Sequence, residues 1–448
     1  MKKFLMAATV LAGCSGAALA ADPSSPSDLG KSLTPFGAIR AGNRSGTIPA
    51  WTGGIATPPA GWREGMARTD VFANERPLFS ITAQNLGKYE AHLAAGTAAM
   101  LRTLDGFRID VYPTHRTAAA PQYIYDATIQ NATRAHLVND GQDVDGAQFG
   151  SPFPIPHNGN EAIWNHILRW RGQQVVRYVN TAITTPTGDY SMQRWFEKIY
   201  FPYAMQGMDN EKKWDSMYWQ EVLAPPRIAG LITLSISFQD PQEQPRTAWQ
   251  YYPGERRVRR APEVSYDTPY NNADGLATVD DYDLFNGGID RYTWKLIGRR
   301  EIYVPYNTAK FQDTSLKYAD IVKKEYVNPD IVRWELHRCW VIEANLKPDQ
   351  SHIYAKRVMY LDEDSWQALI SDRYDRRGAL WRTGMSMAQE AADVPVMVAD
   401  GYQLVDLYQH RYIVQGMHNE EKVQPIQGGN TLAPHDFTAE AMRRFGRR

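Results

Sequence analysis

The sequence predicts an α+β protein: one large curved antiparallel β-sheet covered by N-terminal helices, with an extended N-terminal arm. Three observations predict it. After Gly172 the apolar period changes from helical to two. The period-two runs follow one another through short joins such as "KPDQ" and "DED", the pattern of an antiparallel meander. Aromatic residues are abundant, with 13 Trp and 25 Tyr, many inside these runs, which suits a sheet with a broad amphipathic surface.

The elements follow in order. Residues 1–20 read as an export signal: Lys2 and Lys3, the apolar "FLMAATVLAG", then "ALA" before Ala21. The stretch is too short to span a bilayer, and nothing later is long enough. Its "LAGC" also matches a lipobox, with Cys14 as the lipidated residue; cleavage after Ala20 is favoured because "ALA" lies at the more usual distance. Residues 21–80 are rich in Gly, Pro, Ser and Thr and read as a wrapping arm. A helical part spans 81–172. Its first helix is 81–104, with Thr82 as N-cap and Leu86, Tyr89 and Leu93 at helical spacing. "FRIDVYPTH" is a short strand, and the next helix carries Tyr125, Ile129 and Ala132 on one side. The third, 160–172, turns Ile163, Ile167 and Trp170 inward and stops at Gly172.

The sheet spans 173–416. It opens with a hairpin, "QQVVRYVNTAIT" and "YSMQRWFEKIYF" around "TPTGD", and continues through eight further runs with one helical interruption near "ATVDDYDLFNG". A tail, 417–448, ends in a short basic helix. No linker separates helices from strands, so 21–448 is read as a single domain.

A formal net charge of −1 on 448 residues argues against nucleic acid as the main partner. Removal of residues 1–20 leaves one cysteine, Cys339, and hence no intramolecular disulfide. In "WELHRCW", Glu335, His337 and Cys339 alternate on one side of a strand and pose the question of a catalytic triad. Alternate residues lie about 6.6 Å apart, whereas a nucleophile and its base need roughly 2.6–3.2 Å. One face of a sheet is the ordinary reading, with Cys339 a buried packing residue, and no catalytic residues are assigned. The ten His include no "HExxH" and no pair with Cys at zinc spacing, so no metal site is expected. The acids of "DDYD", 280–283, read as a solvated helix face. No glycine-rich phosphate cradle is visible, and no cofactor is expected. In "YYPGERRVRRAP", Arg257 and Arg259 project to one side, as a solvated edge strand or as a contact for an anionic head group or acidic partner.

That Tyr-x-Pro-Gly with its Arg-rich strand resembles the strand signature of outer-membrane lipoprotein-sorting proteins, the LolA/LolB-like superfamily. The wider set "AGNRSGTIPAWTGG", "YPTHRTAAAP", "FPIPHNGNEAIWNHILRWRG", "WKLIGRREIYVPYN", "VRWELHRCWVIEA" and "YLDEDSW" resembles an exported bacterial family, domain of unknown function 1329, from about residue 33 to the C-terminus. The resemblance implies a half-barrel around a helix-lined hydrophobic cavity and no enzyme activity.

The expected function is that of a periplasmic carrier or chaperone for a hydrophobic molecule, a lipid or lipidated species. Trp219, Trp249, Tyr251, Trp340 and Met359 are the candidate ligand-lining residues, each also a candidate for plain core. The strands carry more apolar positions than three modest helices cover, which calls for a second layer or a ligand. An inner-membrane exporter or outer-membrane protein is the partner that family analogy implies. The alternatives are a hydrolase or transferase acting on an envelope lipid, and a structural partner in an envelope complex; for localisation, an outer-membrane lipoprotein lipidated at Cys14.

Overall fold

The computed structural model describes residues 24–208, 210–261 and 266–446. The export signal, Cys14 and the cleavage site after Ala20 lie outside them. The short strands β1 (Phe79–Ile81), β2 (Ile109–Val111), β3 (His136–Val138) and β4 (Asp143–Asp145) and the helices α1 (Ala95–Thr103), α2 (Gln122–Arg134) and α3 (Gly159–Ile167) come first. Then follow β5 (Gln174–Thr184), β6 (Tyr190–Tyr200), β7 (Trp214–Ala224), β8 (Ile232–Phe238), β9 (Thr247–Tyr252), β10 (Arg257–Arg260) and β11 (Tyr292–Pro305). After α4 (Tyr318–Ile321) come β12 (Arg333–Leu346), β13 (Lys356–Asp362), β14 (Ala368–Tyr374), β15 (Leu380–Ala391), β16 (Val396–Asp406), β17 (Arg411–Met417) and β18 (Ile426–Gln427), and the chain closes with α5 (Ala439–Phe445).

Sixteen strands form one sheet, whose path runs β1-β2-β12-β13-β14-β15-β16-β17-β5-β6-β7-β8-β9-β10, with β11 on the other edge of β12 and β18 on β5. The "TPTGD" hairpin is in register from Gln174↔Tyr200 to Thr184↔Tyr190. All pairs are antiparallel except β2 with β12, so residues of the helical part join the sheet. Bulges bend the strands, one of them in β17 between Val414 and Met417. Gly416 sits there at φ +89°, and a Cβ would stand 2.4 Å from the Asp400 carbonyl, so only glycine fits.

The sheet is covered on both faces. On one, Ile124, Ile163, Trp164, Leu276 and Phe285 pack against Trp340, Met359, Leu361 and Leu404. On the other, Met100, Leu101, Ile109, Phe311 and Ile321 pack against Trp334, Val341, Met385 and Val414. This second layer accounts for much of the surplus apolar strand surface. It comes from α1, β2 and the 309–331 segment.

Four local expectations are corrected. Residues 81–104 do not form one helix: two single 3₁₀ turns, Leu86–Lys88 and Glu90–His92, precede α1, and Leu93 between them and α1 is extended. Packing decides this, because the Tyr89 ring stacks on Phe79 at 5.1 Å and meets Tyr303 edge-on. Helix α2 buries Ile124, Tyr125, Thr128 and Asn131, a face rotated from the expected one, and α3 stops at Ile167, before Gly172. The acids of "DDYD" are not solvated: Asp280 and Asp281 are buried against Arg357, at 2.5 and 3.4 Å, and Arg373 reaches Asp281 at 2.7 Å. Asp283 pairs with Arg169, which with nearby His166 lowers its carboxyl to about 2 against the pull of burial.

Candidate functional site: an aromatic sheet face under the C-terminal helix

Strands β7 to β10 leave the two large cores and form the open end of the sheet. Their register stacks cross-strand neighbours into rows. One row runs Lys198, Trp219, Leu234, Trp249, Arg260; the next runs Phe196, Glu221, Ile232, Tyr251, Val258. A third brings Tyr200, Met217 and Ile236 to the same face. Strand alternation thus builds one continuous aromatic and aliphatic surface.

The cover of this surface is the end of the chain. Thr438 caps α5 by accepting from the Ala441 amide, and the helix lowers Met442 and Phe445 onto the sheet with Phe437 beside them. Phe445 meets Trp219 edge-on at 5.6 Å, and Phe437 stacks on Tyr200 at 5.9 Å. Tyr251 donates its hydroxyl to the Gly446 carbonyl at 2.8 Å. A Cβ on Gly446 would stand 2.2 Å from the Tyr251 ring, so any larger residue at the end of α5 must displace the ring or the helix end. Trp219 is fully buried, yet its indole N–H has no acceptor among the described residues.

Cations edge the face. Lys198 Nζ lies 4.4 Å from the Trp219 ring, and burial holds its ammonium below the usual lysine range. Arg260 lies over Trp249 at 5.9 Å, and Arg443 and Arg444 are exposed on α5. Glu221 is pushed up by burial and drawn back by Lys198.

Three of the five expected lining residues, Trp219, Trp249 and Tyr251, therefore meet on one face. Trp340 and Met359 do not. Both are buried in the core under α3, where Trp340 lies between Arg299, at 4.0 Å, and the stacked Trp366 ring, at 5.9 Å. Arg257 and Arg259 are exposed on β10 at the edge of the sheet. Arg259 falls in the row of Gln250 and Thr233, on the face opposite Trp219, and pairs with Glu255. The arginine on the aromatic face is Arg260. Over this face, where an apolar cavity was expected, the described residues place the chain's own Phe437, Met442 and Phe445. None of the hollows described here is lined by the five expected residues.

The opposite face of β5 to β8 is mixed: Val179, Trp195 and Val222 form a small buried apolar cluster beside buried polar groups. Glu197 accepts from Arg177 at 2.7 Å, Tyr218 at 2.6 Å and Gln220 at 3.0 Å, beside a hollow of about 80 Å³. A larger cleft of about 410 Å³ lies beneath the arm, lined by Arg68, Phe72, Glu75, Asn307 and Arg333 among others.

Behind that cleft the arm is tied to the sheet by a buried polar cluster. Arg116 grips Asp364 with two bonds, at 2.8 and 2.6 Å, and also donates to the Arg40 and Pro49 carbonyls. Glu335 accepts from Arg333 at 2.5 Å, from Asn307 at 2.9 Å and from the His115 amide at 2.8 Å. Its other contact is His337 Nε2 at 3.0 Å, so two members of the suspected triad do touch. Cys339 does not join them: its nearest partner is the His337 carbonyl at 4.0 Å, and burial pushes the thiol far up. His337, Asp362 and Asp364 each bring a ligand atom within 4.8 Å of the others. No sequence spacing marked this group, because the hairpin pairing of Cys339 with Asp362 assembles it across two strands.

A family model described as "Protein of unknown function (DUF1329)" matches residues 80–443. The chain belongs to this family. The DUF1329 chain is 43% identical over 445 residues to the uncharacterized protein PA3922 of Pseudomonas aeruginosa, across 99% of its own length and 97% of the relative's. Among solved structures it is similar to a putative outer membrane lipoprotein-sorting protein domain from Vibrio parahaemolyticus (16% identity, TM-score 0.44, 63% of this chain and 97% of that one). A DUF1329 family protein from Desulfovibrio piger is similar at 14% identity, with a TM-score of 0.42 and 61% and 92% of the two chains covered. Both are too distant to transfer contacts or ligands. No helix of the described residues is long and apolar enough to cross a membrane.

Proposed function

We propose that this protein is an exported envelope carrier that binds a hydrophobic molecule with an anionic end against the Trp219–Trp249–Tyr251 face, in place of its own C-terminal helix. The observation that carries the reading is the cover itself: an aromatic face closed by one seven-residue terminal helix and Phe437. An acyl chain offering apolar area similar to that of Phe437, Met442 and Phe445 would compete with them for this face. Lys198 and Arg260 match a carboxylate or phosphate at its end. Arg257 and Arg259, exposed on the outer edge, are proposed to meet the donor or acceptor, an inner-membrane exporter or an outer-membrane protein.

The test is mass spectrometry of lipids extracted from gently purified full-length protein, followed by tryptophan fluorescence titration with oleate and with phosphatidylglycerol. Lipid should co-purify, and Trp219→Asp should abolish its retention while far-ultraviolet dichroism stays that of a sheet. A lipid-free protein whose fluorescence neither probe changes would end the carrier reading.

A further inference from the structure

The buried group behind the arm has a composition that the carrier reading does not use. His337 comes from the middle of β12, Asp362 from the end of β13, and Asp364 from the turn that follows. All three are buried, with ligand atoms within 4.8 Å of one another. His337 is held as a metal-bound imidazole is held: one nitrogen, Nε2, faces the Glu335 carboxylate at 3.0 Å, and Tyr306 stacks on the ring at 3.8 Å. That leaves Nδ1 as the coordinating atom.

A second, independent observation is Asp362. Its Oδ2 accepts from Tyr306 at 3.1 Å and from Ser365 at 2.5 Å. Its Oδ1 is fully buried and has no hydrogen-bond partner among the described residues. The neighbouring acids are matched: Asp364 by Arg116, Glu363 by Arg338 at 2.7 Å, and Glu335 by Arg333 at 2.5 Å. Asp362 has no ion-pair partner among the described residues. An unpaired buried carboxylate oxygen is costly, and a cation removes that cost. Asp364 gives both oxygens to Arg116, but each carboxylate oxygen carries a further lone pair.

We propose that His337, Asp362 and Asp364 bind one divalent first-row transition metal ion. One imidazole with two carboxylates suits zinc or manganese better than calcium, whose sites are built from six to eight oxygens. Glu335 acts from outside as the positioning residue for the imidazole. The ion ties β12 to the turn that anchors Arg116, and so fastens the arm to the sheet.

The test uses the full-length protein, stripped with chelator and titrated with Zn²⁺, Mn²⁺ and Mg²⁺ separately, with bound metal counted by elemental analysis. One Zn²⁺ or Mn²⁺ per chain is expected, with a rise in the melting temperature, and no such rise with Mg²⁺. Asp362→Asn, nearly isosteric, should weaken binding more than about ten-fold, and Glu335→Gln by about 10–100-fold. Co²⁺ added to the unmodified protein should give a spectrum of nitrogen and oxygen ligation without a thiolate band, a readout that survives if a variant fails to fold. Binding below one ion per chain, binding unchanged in Asp362→Asn, or a thiolate band from Cys339 would each overturn the proposal. None of these results depends on whether lipid binds under α5.

Discussion

Single side chains divide here into those that pack and those that hold charge. Cys339 packs: it is fully buried and its thiol is pushed up. Cys339→Ala should cost about 1 kcal/mol, and the native protein should resist rapid thiol labelling. Trp340, an expected ligand contact, has become a core residue between Arg299 and Trp366. Trp340→Ala should therefore cost about 3–5 kcal/mol in denaturant melts and leave lipid retention unchanged in the folded fraction. Asp372 shows the effect of charge. It accepts from the Gly96 amide at 3.0 Å and from Thr383 at 2.8 Å, yet burial pushes its carboxyl up to about 6. The folded chain then holds that proton at a pH where the unfolded chain has lost it. Between roughly pH 4 and 6 the folded state binds more protons, and stability falls as pH rises, by up to about 1.4 kcal/mol per unit. Subtracting the pH–stability curve of Asp372→Asn from that of the unmodified protein should leave this falling slope; a flat difference would remove the assignment.

Among the elements, α5 is the one whose position bears on function. Gly446→Val places a Cβ against the Tyr251 ring and should lift the helix end. The variant should bind oleate more tightly than the unmodified protein and show faster amide exchange in α5 with the rest of the sheet unchanged. The basic helix itself was legible in "HDFTAEAMRRFGRR", and so was the β5–β6 hairpin, because a Gly-containing turn and two alternating runs are local signals. Its seat on Trp219 was not, since Phe445 and Trp219 meet through pairing that no local pattern records. The same limit hid the "DDYD" partners. Arg357 and Arg373 stand 77 and 92 residues beyond the acids they hold, on strands whose alternation reads as half-exposed. Residues 81–93 failed for a related reason: their apolar spacing is helical, but Tyr89 is claimed by Phe79 and Tyr303.

At the scale of the whole molecule, Arg116 ties the arm to the sheet. The guanidinium contacts Asp364, Glu363 and two arm carbonyls, and the pull of those carboxylates raises its already high pKa against burial. Arg116→Met strands the buried Asp364, while Glu363 keeps Arg338, and should cost about 3–5 kcal/mol, with 37–50 becoming protease-sensitive before the sheet melts. The curved antiparallel sheet with its covering helices was foreseen from the change of period at Gly172. A second layer was one of the two outcomes that the surplus of apolar strand positions called for; which pieces supply it was not legible, because they are short and irregular and have no period of their own.

The neighbour of β5 opposite β6 is β17, and Thr184 and Tyr412, bonded to each other there, are 228 residues apart in the chain. Synthesis therefore runs ahead of closure. The β5-to-β10 meander can zip as it emerges, but one rim of β5 has unpaired amides and carbonyls until the chain has been made past residue 417. A nascent protein halted short of that point presents a sticky β-edge to its neighbours. A chain ending at residue 406 should accordingly self-associate, and a peptide of residues 411–427 added in trans should suppress it. For this molecule the hazardous interval lies in its manufacture, and it ends only when the last long strand arrives.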